Sequence, residues 1–181
     1  MARRRLAVTF VALVVVAFVA GCGGKNSDTT STTDWANGLC SAISTWTGSL
    51  RTATTSLQGG NVSKDSLTSA ADDVKSATDT FVDDLKGLGK PDTQAGQQAK
   101  TSVDKLADEL HSDASTIQDA VKGVSSVADV VTALPTVTTA LGSMSTQFQT
   151  TFSELQQLDA KGELQNAFQQ ADSCKSLTQS S

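Results

Sequence analysis

Apolar residues recur every three or four positions from Asp34 onward, a spacing that places them on one face of an α-helix. Asp34 stands where it would cap the first turn, and Gly59 and Gly60 follow the last apolar residue. The apolar stripe consists of Trp35, Leu39, Ile43, Trp46, Leu50, Ala53 and Leu57. The pattern therefore predicts a first long helix.

Three more stripes of the same kind follow. The second helix is predicted over residues 63–86, before a cluster of Gly and Pro, and Asp92 stands where it would cap the third. The fourth stripe runs from Val127 to Leu158 and contains Pro135, which removes an intrahelical hydrogen bond. We expect this proline to kink or split the fourth helix.

The phase of the pattern slips near Gly162, and the stripe from Leu164 to Cys174 predicts a short final helix. No segment alternates between apolar and polar residues over a useful length, so the chain is predicted to be all-α. Short connections favour antiparallel neighbours. The expected fold is an up-down antiparallel four-helix bundle with a short fifth C-terminal helix, over residues 34–181.

The N-terminal segment has a different composition. Arg3, Arg4 and Arg5 precede an apolar run from Leu6 to Ala20. The run is shorter than the roughly 20 residues that a permanent membrane-spanning helix needs, and a basic segment before a short apolar one is typical of an export signal.

Val19-Ala20-Gly21-Cys22 resembles the lipobox of bacterial lipoproteins, the site at which lipoprotein signal peptidase cuts before a diacylated cysteine. The resemblance implies that residues 1–21 are a signal peptide and that Cys22 carries the lipid. It also implies a protein lipid-anchored in the cell membrane, on the extracytoplasmic face. The alternative is a plain secretory signal or short membrane anchor with an incidental cysteine. Residues 22–33 are the lipidated cysteine and a Ser/Thr-rich segment with no other apolar residue, which predicts a flexible tether.

Net charge limits the partners. The whole chain has a formal charge of −5, and removal of residues 1–21 takes away three arginines, leaving 11 basic against 19 acidic residues, a charge of −8. Nucleic acids need clustered Lys and Arg, so no nucleic-acid partner is expected. An acidic surface does not favour an anionic membrane, and attachment would have to come from lipid on Cys22.

Few residues offer catalytic or metal-binding chemistry. His111 is the single histidine, with Asp108 and Asp113 nearby as pairing partners, and we interpret it as a surface residue. The pairs Asp72-Asp73 and Asp83-Asp84 lie within a predicted helix, where adjacent side chains do not converge, and indicate a solvated face. Trp35 and Trp46 share the first apolar stripe and are assigned to the core rather than to an aromatic ligand cage. No catalytic residue, metal site or cofactor is predicted.

The other two cysteines, Cys40 and Cys174, are expected to form a disulfide. With Cys22 assigned to lipid they are an even pair in a compartment where disulfides persist. A returning final helix could bring Cys174 beside Cys40. Two free buried thiols are the alternative, because cysteine packs well as a small apolar residue.

These observations favour a lipid-anchored, non-catalytic binding or structural module at the cell envelope, with an unknown envelope protein or small ligand as its partner. A carrier or sensor that holds a small apolar ligand between the helices is the alternative. An enzyme such as a cell-wall hydrolase is the third hypothesis, and it would depend on a metal or on His111.

Overall fold

The structure is a computed structural model, and it describes residues 29–55, 57, 62–158 and 162–179. The helices in this part of the chain are α1 (Thr32–Thr55), α2 (Lys64–Gly87), α3 (Gly96–Lys122), α4 (Val127–Gln157), α5 (Glu163–Gln170) and α6 (Asp172–Gln179). Two short extended segments, β1 (Thr29–Thr30) and β2 (Lys90–Pro91), pair in parallel. The all-α prediction is confirmed apart from this two-residue pairing. The predicted signal peptide and Cys22 lie outside the described residues.

The chain enters the fold beside the connection between α2 and α3. Besides the β1–β2 pairing, the Asp92 backbone N–H donates to the Thr30 carbonyl oxygen at 2.8 Å. The Thr30 hydroxyl donates to the Leu88 carbonyl oxygen, also at 2.8 Å. Ser31, rather than Asp34, caps α1, because the Ser31 Oγ accepts from the Asp34 N–H at 3.2 Å. The last residues of the predicted tether thus contact the helical domain.

The third helix begins later than the sequence predicts. Asp92 was expected to cap it, yet α3 begins at Gly96, after a turn in which the Gly96 N–H donates to the Thr93 carbonyl oxygen at 3.0 Å. The β1–β2 pairing holds Pro91 extended and so delays the helix. A Cβ atom at Gly96 would lie 2.0 Å from the Pro91 carbonyl oxygen, so this close approach needs glycine.

Helices α2 and α3 run antiparallel. Lys86 Nζ lies 3.5 Å from Asp108 Oδ1, and Gln118 Nε2 donates to Asp72 Oδ1 at 3.1 Å. Later residues of α2 therefore lie beside earlier residues of α3, which is the antiparallel arrangement that the short connection predicts.

A dense group of hydrogen bonds begins α4. The Asp129 carboxylate accepts from the Ser125 N–H at 3.0 Å, and from the Ser125 hydroxyl, the Ser126 hydroxyl and the Ser126 N–H, each at 2.9 Å. These donors, the Ser125 N–H foremost, lower the pKa of Asp129 from 3.8 to about 2 because they stabilise the ionised carboxylate. The Ser126 Oγ accepts from the Asp129 N–H in return, which completes a capping box.

The proline does not divide the fourth helix. One helix continues from Val127 to Gln157 with Pro135 inside it, so the predicted split is wrong. Pro135 lies on the exposed side of α4, as does Val131, one turn earlier and 64% exposed. The Val131 carbonyl oxygen, which loses its intrahelical donor, is on a side of the helix that water can reach.

By length and composition alone, one helix in the described residues could cross a membrane. This is the stretch Val127–Leu155 of α4, in which a window of 18 residues has a mean hydropathy of 1.3. The core helix of a soluble protein meets the same criterion, and α4 supplies buried residues to the core, among them Val130, Met144 and Leu155. The high hydropathy reflects a run without Asp, Glu, Lys or Arg between Asp129 and Glu154.

The C-terminal region forms two short helices rather than the predicted one. Ala171 is extended, with φ −65° and ψ 121°, and separates α5 from α6. Gly162, just before α5, has a φ of 71°, the left-handed conformation that glycine adopts without steric cost. Both α5 and α6 pack on α1.

One core joins the four long helices. Trp46 of α1 stacks on Phe81 of α2, with ring centroids 4.8 Å apart, and lies 6.5 Å from Phe148 of α4. The largest fully buried side chains include Trp35, Leu67, Phe81, Leu85, Leu110, Ile117, Met144, Leu155 and Leu164. The predicted apolar stripes supply almost all of them.

Candidate functional site

Cys40 and Cys174 form a disulfide between α1 and α6. The Sγ atoms are 2.04 Å apart and the Cα atoms 5.0 Å apart. The pairing is the one expected from the sequence, and it joins residues 134 positions apart, so that most of the helical domain lies within the loop.

A small second core surrounds this disulfide. It contains Ala36, Ala167 and Ala171 with both cysteines, and Phe168 packs against it. The Ser173 N–H donates to Asn37 Oδ1 at 3.2 Å, which adds a polar contact between α6 and α1. The disulfide therefore fastens α5 and α6 to the N-terminal half of α1, the end at which the chain enters the fold.

His111 lies on the surface, as predicted, but its partner is different. Its Nδ1 is 3.2 Å from Asp79 Oδ1 of α2, whereas Asp108 pairs with Lys86. Lys75 also donates to Asp79, and this bond, ahead of the contact with His111, lowers the pKa of the Asp79 carboxyl. The partner comes from a neighbouring helix, which the sequence pattern does not reveal.

One hydroxyl group that contacts His111 belongs to Ser115. Ser115 is one turn from His111, and its hydroxyl donates to the His111 backbone carbonyl oxygen at 2.9 Å rather than to the ring. A nucleophilic serine needs a base within hydrogen-bond reach. His111 contacts a carboxylate of the neighbouring helix at the surface, and the Ser115 hydroxyl does not contact its ring.

The paired aspartates are exposed and dispersed. Asp72, Asp73, Asp83 and Asp84 all lie on the solvent side of α2. Within the residues that the structure describes, no group of three or more His, Cys, Asp or Glu side chains is placed to hold a metal ion.

Both tryptophans lie in the core. Trp35 is fully buried, 6.3 Å from the ring of Phe168, and Trp46 is 4% exposed. The Trp46 Nε1 donates to the hydroxyl of Thr78 at 3.2 Å, so this indole is oriented by a hydrogen bond as well as by the Phe81 ring.

A groove lies between α1 and α2, and the sequence pattern alone does not reveal it. It consists of two adjoining cavities of about 410 and 420 Å³. They share Ala42, Thr45 and Asp84 as lining residues, and Trp46 and Phe81 line the first. We call this surface the α1–α2 groove. Its sequence signal is a series of Ser and Thr one turn apart beside the apolar stripe of α1.

An apolar pocket between the long helices is much smaller. It lies among side chains such as Leu67, Val74, Ile117 and Val137, and its volume is about 10 Å³. That is about the minimum for one water molecule. An interior site for a small apolar ligand has little room at this position.

Comparison of the chain with protein-family models, with curated proteins and with solved structures returns no match.

Proposed function

We propose that the chain is a lipid-anchored extracytoplasmic lipoprotein, a non-catalytic binding or structural module at the cell envelope. In this proposal residues 1–21 are removed, Cys22 carries the lipid, and α1–α4 form one antiparallel up-down bundle. Its ligands would bind on the outer surface of the helices.

The observation that carries this proposal is where the chain joins the helices. Thr29–Thr30 pairs with Lys90–Pro91 at one end of α2 and α3. Thr29 is seven positions after Cys22, a distance along the chain that spans at most about 25 Å at full extension. A lipid on Cys22 would hold that end of the domain near the membrane, and the opposite end would point away from it.

Two further observations support a surface binding role. The apolar pocket between the helices holds about 10 Å³, whereas the α1–α2 groove offers two larger cavities open to solvent. His111, on which a hydrolase without a metal would depend, is engaged with Asp79 at the surface. Both favour binding on the outside over an interior carrier site or an enzyme.

The test is the chemistry of Cys22. We expect the full chain expressed in a bacterial host to partition into detergent and to yield an N-terminal peptide that begins at Cys22 and carries acyl chains. Cys22→Ala should abolish both the lipid and the cleavage, because the thiol is the site of acylation. Ser27→Ala, outside the lipobox, is the matched control and should process normally. Mature membrane-bound protein with an unmodified Cys22 would refute the anchor.

A further inference from the structure

The walls of the α1–α2 groove present hydrogen-bond acceptors. Thr45, Ser49 and Thr52 of α1 each donate their hydroxyl hydrogen to the backbone carbonyl four residues earlier, at 3.1 Å. Thr80 of α2 does the same at 3.0 Å. A hydroxyl has one donor and two acceptor positions, so each of these groups has only its acceptor positions left for a ligand.

The groove is also negatively charged along its length. Asp73 and Asp84 line the first cavity, and Asp83 lines the second with Asp84, while neither cavity is lined by Lys, Arg or His. The ion pairs found among the described residues involve other carboxylates. Asp73 and Asp84 are eleven residues apart on one helix, a rise of about 16 Å.

A ligand that complements these features is an extended cation with many hydrogen-bond donors. A single metal ion would need converging carboxylates, and those of Asp73 and Asp84 are too far apart to share one. A basic peptide would bring backbone carbonyl groups that need donors, and the walls have few to offer. A linear polyamine has only ammonium donors, and its methylene spacers can lie against the half-buried apolar side chains of Ala77 and Leu88 that line the groove.

We propose that the α1–α2 groove is a binding site for linear polyamines, with terminal ammonium groups near Asp73 and Asp84. In a tetraamine with three-, four- and three-carbon spacers, the terminal nitrogens are separated by a similar distance when the chain is extended. The inference deepens the proposed binding role and rests on it. The two fail separately, because loss of the lipid at Cys22 would leave the groove intact, and an empty groove would leave the anchor intact.

Isothermal titration calorimetry of spermine against the full chain in neutral detergent, at low salt, tests the proposal. We expect saturable binding of one spermine per chain. Asp73→Asn combined with Asp84→Asn should raise Kd about tenfold, because the ligand loses two exposed ion pairs. Thr80→Lys, an exposed change that puts a cation on the wall, should weaken binding comparably.

The matched control has the same change in charge at another place. Glu154→Gln combined with Glu163→Gln removes two exposed carboxylates that, like Asp73 and Asp84, are in none of the ion pairs found among the described residues, and should leave Kd within about twofold. Equal weakening by both double variants would show general attraction to an acidic protein and would overturn the site. Absence of saturation, or equally tight binding of Mg²⁺ or of a tetralysine peptide, would overturn it as well. Circular dichroism melts would verify that each variant is folded.

Discussion

Breaking the bond between Cys40 and Cys174 should destabilise the whole helical domain, and not only its C-terminal end. The bond joins residues 134 positions apart, so it restricts nearly every helix in the unfolded chain. The chain-entropy relation gives about 5 kcal/mol for a loop of this length, and single disulfides typically contribute about 2–4 kcal/mol. We therefore expect a loss of about 2–5 kcal/mol, or about 5–15 °C in Tm for a domain of this size.

The noncovalent contacts around the bond determine what happens first on heating. Without the disulfide, α5 and α6 are held to the rest of the fold by buried alanines, Leu164, Phe168 and the hydrogen bond from Ser173 to Asn37. Trp35 is fully buried and lies 6.3 Å from Phe168. Release of α5 and α6 should expose this indole and shift its emission to the red before the helices melt.

The assay compares three forms of the chain by circular dichroism and tryptophan fluorescence: oxidised, reduced with a phosphine, and Cys40→Ala combined with Cys174→Ala. Reduction leaves both side chains in place, so it separates loss of the bond from loss of buried packing. Cys22→Ala is the control for a cysteine outside the bond. Alkylation of denatured, unreduced protein followed by mass spectrometry establishes whether the bond is present.

Two results would contradict this reasoning. Label on both Cys40 and Cys174 in the unreduced protein would show that they are free thiols. A verified bond whose reduction lowers Tm by less than about 1 °C would show that the loop constraint contributes little to stability.

Two further predictions concern helix boundaries. In the folded protein the pKa of Asp129 is lowered from 3.8 to about 2. The ionised carboxylate therefore stabilises the fold at pH values above 3.8, and this contribution is lost as the pH falls through about 2. Tm should fall more steeply over this range in the unaltered chain than in Asp129→Asn, and parallel curves would contradict the role. Gly96→Ala should destabilise the fold by about 1–3 kcal/mol, since its Cβ would meet the Pro91 carbonyl oxygen. Gly142 has open space around it, so Gly142→Ala should stabilise α4 by about 0.5–1 kcal/mol. Equal changes in Tm for Gly96→Ala and Gly142→Ala would refute the clash between the added Cβ at position 96 and the Pro91 carbonyl oxygen.

Much of the fold follows from short-range pattern. A stripe of apolar residues every three or four positions predicts a helix because burying that stripe stabilises the helix, and four long helices appear close to where the stripes stand. Trp35 and Trp46 were assigned to the core on the same ground, and both are buried. The proposed lipid on Cys22 also depends on a local motif and still rests on the sequence alone.

The departures arise where a distant segment competes with local preference. Asp92 is a good cap in isolation, but the pairing of Thr29–Thr30 with Lys90–Pro91 delays α3 to Gly96. Pro135 should break a helix, yet the exposed turn before it leaves the freed carbonyl on the solvent side, and α4 continues. In both places the outcome depends on what surrounds the residue.

The sequence by itself determined the helical period, the order of the helices and the inventory of reactive groups, because these are properties of neighbouring residues. Only the tertiary structure decided that Asp79 is the partner of His111 and that hydroxyls and carboxylates of α1 and α2 line one groove. Such relations depend on the rotation and register of helices about each other. Side-chain packing across the whole core sets that register, and no short stretch of sequence contains it.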